Sequence, residues 1–199
     1  GGSGVGQFNN PLDVAVDSRQ NLYVADKVNH RVQRRSSNGV WSVYISLTNP
    51  PSYYDYPYGL LVDSSDNLYV SDRVGTTNTC GVQEYDPNGV WLRQIGSQTN
   101  GNLSFPVGMT MALGDFYVVD YDRDSVSGTP MDSPGTWQIL ATNSVLSNPC
   151  DVTWDPAGIL YVCDAGHNRI LGLPMVAGAS AGTNGQTNVT WYGAGTNVL

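Results

Sequence analysis

The side chains with most chemical reach are four aspartates, Asp26, Asp72, Asp120 and Asp164, which recur at one place in a repeating pattern. A ring of carboxylates offers oxygen ligands to Ca²⁺, which takes six to eight of them. The densest stretch is Asp120-Tyr-Asp122-Arg-Asp124, so Asp120, Asp122 and Asp124 are the candidate cation ligands. A carboxylate at a strand end also has a simpler use, accepting N–H bonds from the next turn. That reading needs no cation. The expectation is therefore no cofactor, with Ca²⁺ the one to look for. His30 and His167 are the only histidines and fall in matching turns of the first and fourth repeats. A zinc site takes three or four ligands, so two histidines on separate repeats favour a turn-building role. Arg31 and Arg169 each follow the strand-end Asp by five residues, the spacing of an Asp–Arg brace. The Gly-x-Ser-x-Gly, His-Glu-x-x-His and Gly-x-x-x-x-Gly-Lys patterns do not occur, and no residue is assigned a catalytic role.

Cysteine carries a further signal. Cys150 follows the Pro of the fourth repeat and Cys163 precedes its Asp. If Asp155-Pro156-Ala157-Gly158 is the turn that sets the register, the two face each other across paired strands, near the ~3.8 Å Cβ separation of a disulfide. A Cys150–Cys163 disulfide is expected, and with it an oxidising compartment. Cys80 is left over, either as a thiol or joined to another chain. Asn102-Leu-Ser104 and Asn188-Val-Thr190 are acceptors for N-linked glycan. Tyr53, Tyr54, Tyr56 and Tyr58 form an aromatic patch suited to protein or carbohydrate contact, or to covering the gap between two repeats.

The elements that must position these groups follow from self-similarity. Four segments align, Pro11 to Asp26, Pro57 to Asp72, Pro106 to Asp120 and Pro149 to Asp164, and their Pro anchors stand 46, 49 and 43 residues apart. Apolar residues alternate within each, as in Val14 and Val16 and then Leu22 and Val24, the period of strands with one buried face. Third strands follow around Arg31-Val32-Gln33, Gly81-Val82-Gln83 and Arg169-Ile170-Leu171, and fourth strands carry Trp41, Trp91, Trp137 and Trp191. Asn38-Gly39 and Asn88-Gly89 predict two-residue hairpins. Each unit is a four-stranded antiparallel meander, which at this period is a propeller blade.

The first unit, with Asp13-Val14-Ala15-Val16-Asp17, Asn21-Leu22-Tyr23-Val24-Ala25-Asp26 and Asn29-His30-Arg31-Val32, resembles an NHL repeat. The resemblance extends over nearly the whole chain; unit four reverses the signature to His167-Asn168-Arg169, and unit three replaces it with Asp120-Tyr-Asp-Arg-Asp. It implies an all-β β-propeller of four NHL-like four-stranded antiparallel blades, either closed or an arc of a larger ring. The chain is read as one module over 1–199, with blades at approximately 7–47, 53–97, 102–142 and 145–193. Propellers of this family usually have six blades, and an incomplete ring leaves edges that invite pairing with another chain. Some NHL-like enzymes, the peptide-amidating lyases among them, hold metal and substrate at the propeller axis.

Composition narrows the partners. Nine basic residues, Lys27 the one lysine, stand against 17 acidic ones for a formal charge of −8. That field repels phosphate backbones, so nucleic acid is not expected as a partner. No apolar run approaches the ~18 residues of a membrane-spanning helix, and membrane insertion is not expected. The chain opens on Gly1, as a processed chain or an excerpt would. These signs point to an extracellular or cell-surface location and a non-catalytic interaction or structural module, whose partner is protein, copies of itself included, and which is a subunit or fragment of a self-assembling fibre. The alternative is a propeller lyase or hydrolase with a metal near the axis.

Overall fold

A computed structural model describes residues 1–48, 56–73, 80–97, 103–132 and 134–175. Tyr53, Tyr54, Asn102, Asn188 and the fourth strand expected around Trp191 lie outside them. The first sheet runs β1 (Pro11–Val16), β2 (Leu22–Asp26), β3 (Arg31–Arg35) and β4 (Trp41–Ser46). The second holds β5 (Tyr56–Val62), β6 (Leu68–Arg73), β7 (Gly81–Tyr85) and β8 (Trp91–Ser97). The third holds β9 (Pro106–Ala112), β10 (Asp115–Asp120), β11 (Ser125–Pro130) and β12 (Gln138–Ala141). In the fourth, β13 (Pro149–Trp154), β14 (Ile159–Asp164) and β15 (Arg169–Pro174) are described. Every sheet is an antiparallel meander in chain order, the blade of a β-propeller.

Period-two alternation turns each blade into two apolar faces, and the core lies between blades. Tyr23, Ala25, Val32 and Ile45 of the first blade pack on Leu60, Leu68 and Val70 of the second. Tyr69, Val82 and Ile95 of the second meet Met109, Phe116 and Val118 of the third. The neighbours of those last two residues, Tyr117 and Val119, point the other way, onto Val152, Leu160 and Val162 of the fourth. The inner strands stand side by side as β1–β5, β5–β9 and β9–β13. Among the described residues β13 makes no comparable contact with β1, which leaves one face of the first blade and one of the fourth uncovered.

The turns depart from the sequence reading in an instructive way. Asn38-Gly39 and Asn88-Gly89 do not make two-residue hairpins. The chain closes with Ser36 N donating to Val40 O and Asp86 N to Val90 O, so each loop has three residues. Gly39 and Gly89 have φ of +91° and +83°, whereas Asn38 and Asn88 are not in the left-handed region. A third loop residue in that conformation is what a turn ending in a one-residue bulge requires. The same closure joins Asp17 to Asn21, Asp63 to Asn67 and Asp155 to Ile159. The third blade differs: Ala112 pairs with Asp115 around Leu113-Gly114, with φ of +55° and +90°. Two positive φ values in a two-residue loop explain why this unit is one residue shorter from Pro to Asp.

The extra loop residue also corrects the register expected for the cysteines. Asp151, not Cys150, pairs with Cys163, and a bulge between Pro149 and Asp151 restores the Pro149–Asp164 pair. Cys150 and Asp151 therefore share one opposing residue.

Candidate functional site

The end of each blade where the inner strand begins and the second strand stops is built around the strand-end Asp. Asp26 accepts the Asn9 N–H (2.8 Å), Asn29 Nδ2, Gln33 Nε2 and Arg31 Nε (2.7 Å). Burial pushes its carboxyl up, and these bonds together outweigh burial and hold it below the usual carboxylate range. Asp164 repeats the pattern with Ser147 N, Arg169 Nε (2.7 Å) and His167 Nδ1 (2.8 Å), and is likewise lowered. Both Asp–Arg braces read from the five-residue spacing are thus formed. The reversed signature has a simple geometric effect. The left-handed residue closing the turn is His30 in the first blade and Asn168 in the fourth. His167 accordingly takes the place of Asn29 beside the carboxylate, while His30 packs on the Tyr56 ring at 4.6 Å.

In the third blade, which lacks the Arg, Asp120 receives the N–H groups of Ser104, Phe105 and Arg123. Here burial prevails and the carboxyl is raised. The three aspartates singled out as cation ligands serve separate partners: Asp122 faces Arg73 at 3.5 Å and Asp124 accepts the Asn148 N–H. Among the described residues no three His, Cys, Asp or Glu side chains gather as a metal ion would need. In the second blade Asp72 accepts the Gly81 N–H (3.0 Å).

These same ends meet between blades through rings and cations. Lys27 Nζ sits 4.6 Å over the Tyr58 ring and 6.0 Å from Tyr56. Tyr58 packs edge-on against Phe105, which touches Tyr121 and lies under the Arg73 guanidinium at 4.4 Å. The described half of the tyrosine patch, Tyr56 and Tyr58, is therefore half-buried at the seam of blades one to three.

Near the axis, the third residue from each Pro is Asp13, Gly59, Gly108 and Asp151. A Cβ on Gly59 would fall 2.1 Å from Val107 O, and one on Gly108 would fall 2.5 Å from the Asp151 Cα. The following inner strand thus approaches too closely for a side chain. Asp13 fits by accepting the Leu60 N–H (2.7 Å), and Asp151 has no following blade among the described residues to exclude it. Burial raises both carboxyls, and the charge of Asp151 adds to the rise at Asp13.

The NHL-repeat family model matches residues 8–34, the first blade up to its third strand. Residues 8–34 are thus an NHL repeat, set in a chain whose successive antiparallel sheets are the blades of a β-propeller. No curated protein shows significant sequence similarity to this chain. Among solved structures it is similar to a chain of a nidogen/laminin complex, with TM-score 0.67 and 22% identity over 82% of this chain and 60% of that one. A gluconolactonase from Xanthomonas campestris matches with TM-score 0.71 and 19% identity over 88% and 61%. Virginiamycin B lyase from Staphylococcus aureus matches with TM-score 0.66 and 14% identity over 82% and 52%. The chain spans between about half and three fifths of the length of these proteins.

Sequence reasoning missed one recurrent pair. Tyr23, Tyr69, Tyr117 and Tyr161 hold the same place in the four blades, and each hydroxyl donates to a turn carboxylate, Asp17, Asp63, Asp115 or Asp155, at 3.0–3.2 Å. A Tyr two residues into every second strand was the available signal. The single Tyr69 hydroxyl proton is shared between Asp63 (3.1 Å) and buried Glu84 (2.9 Å), which Arg93 neutralises.

Proposed function

We propose that the NHL propeller is a non-catalytic extracellular interaction and structural module that engages protein, copies of itself included, through the uncovered faces of its first and fourth blades. One observation carries this reading. Val14 is 59% exposed, whereas Leu60, Met109 and Val152, at the same place in the later blades, are 7%, 7% and 3% exposed because each packs on the blade before it. Leu12 and Val16 are exposed beside it. An apolar sheet face of this kind is suited to another blade-like surface, and uncapped repeats associate by that route. The strand-end carboxylates favour the same reading, since they are engaged in bracing turns. Cys150 and Cys163, on two adjacent strands, and the Asn102 and Asn188 acceptor sites support a secreted location. Sedimentation velocity over a range of concentrations tests the proposal: the native chain shifts to larger species, and a Val14→Asp, Val16→Asp variant stays monomeric. A native chain that is monomeric throughout refutes self-association.

A second reading rests on Asp13 and Asp151, half-buried and exposed carboxyls near the axis that are both raised, in a fold shared with a lyase and a lactonase. A propeller lyase or hydrolase would retain stoichiometric Ca or Zn on elemental analysis after dialysis, and lose it when both aspartates are replaced by Asn.

A further inference from the structure

We infer that Cys150 and Cys163 form a redox site, a thiol pair that closes to a cross-strand disulfide at the uncovered face of the fourth blade. Both stand as thiols in the structure. The β13 bulge sets Cys150 and Asp151 together opposite Cys163. Residues opposed across adjacent strands lie within the Cα separation a disulfide spans. The bulge itself is a property of the fold, since the first three blades carry it at Pro11/Val14, Pro57/Leu60 and Val118/Asp120. Only the fourth blade places sulfur on both sides of it. Elsewhere Leu12, Tyr58 and Val107 stand where Cys150 does, and Ala25, Ser71 and Val119 where Cys163 does.

Exposure makes the site reachable and orders the chemistry. Ala25, Ser71 and Val119 are wholly buried beneath the following blade, while Cys163 is half-buried and Cys150 exposed. With oxidised glutathione as the oxidant, the Cys150 thiolate attacks one glutathione sulfur, breaking its S–S bond and releasing one glutathione thiolate. Cys163, as thiolate, then attacks the Cys150 sulfur of the mixed disulfide and expels the second glutathione. Two electrons pass from the protein to the oxidant, and the two thiol protons leave with the two glutathiones. Burial, the neighbouring Cys163 and the Asp151 charge push the Cys150 thiol up, so the first step is slow at neutral pH and quickens as the pH rises. Cys80 is buried and serves as an internal reference.

The native chain is equilibrated with excess oxidised glutathione, then alkylated without denaturant and mapped by mass spectrometry. Both Cys150 and Cys163 lose alkylation, and a peptide pair linked through them appears, while Cys80 stays a thiol. C163S, which lacks the resolving thiol, accumulates glutathione on Cys150; C150S accumulates far less on half-buried Cys163. Native chain whose two thiols remain alkylatable, or which holds unresolved glutathione on Cys150, overturns the inference, as does a link through Cys80. The readout uses no partner, so its failure leaves the interaction reading standing.

Discussion

Val14 on β1 and Val152 on β13 occupy the same place in the repeat, yet one is 59% and the other 3% exposed. The difference is the presence of a preceding blade. An aspartate at 152 is an uncompensated charge in a closed interface and costs about 3–5 kcal/mol or prevents folding. At 14 it changes stability by less than about 0.5 kcal/mol. Urea denaturation of Val14→Asp and Val152→Asp at protein concentrations where the native chain is monomeric checks the contrast. Equal losses would mean that β1 is covered in solution.

The strand-end carboxylates predict opposite responses to acid. Asp26 and Asp164 are held below the ordinary carboxylate value, so the folded chain binds fewer protons there than the unfolded one. Their stabilisation is complete above the unfolded value, near pH 4, and is lost as the pH falls through the folded one. Asp120 is raised, so its burial penalty is relieved as acid protonates it, and that relief begins above pH 4. Asp26→Asn and Asp164→Asn therefore cost about 2 kcal/mol each at pH 7, a loss that shrinks toward pH 3, whereas Asp120→Asn costs less at pH 7. Denaturation midpoints of the three variants from pH 3 to 7 test the ordering.

Blade number, strand order and the Asp–Arg braces were legible because they repeat, and four imperfect copies of Pro-to-Asp reinforce one another. What the sequence hid was non-periodic. A residue such as Gln20 or Asp66 enters the left-handed region with φ of +64° and adds one residue to a hairpin, with no glycine to announce it. In the fourth blade the left-handed residue is Gly158 (φ +85°), and the loop closes from Asp155 to Ile159 instead of at Gly158, which moved Cys163 from opposite Cys150 to opposite Asp151. The cation candidates at 120, 122 and 124 looked like a cluster along the chain, but a turn separates their carboxylates toward different blades. The tyrosine–aspartate pairs escaped notice because Tyr also satisfies the apolar alternation of a strand.

Leu113 stores strain at an exposed position. Its φ of +55° is forced by the two-residue turn, and it is 60% exposed with no burial to compensate. A left-handed conformation costs an ordinary residue about 1–2 kcal/mol, less for Asn, and Asn-Gly is the preferred pair for this turn. Leu113→Asn is expected to stabilise the chain by about 0.5–1 kcal/mol, read as a higher thermal midpoint. A lower midpoint would mean that the Leu113 side chain contributes packing that its exposure conceals.

The tyrosines at the blade interfaces offer the sharpest internal comparison. Tyr23, Tyr69 and Tyr117 are closed under the following blade, and Tyr161 is half-exposed on the last face. Burial, with the carboxylates beside them, pushes the first three hydroxyls far above the ordinary tyrosine value. Their phenolate absorbance should therefore appear only when alkali unfolds the chain. Removing the Tyr69 hydroxyl deprives buried Glu84 of a donor that water cannot replace, a loss of about 1–3 kcal/mol. At Tyr161 water can take over the bond to Asp155, so Tyr161→Phe leaves the denaturation midpoint unchanged. A Tyr161→Phe loss as large as that of Tyr69→Phe would show that a further blade covers the fourth in solution.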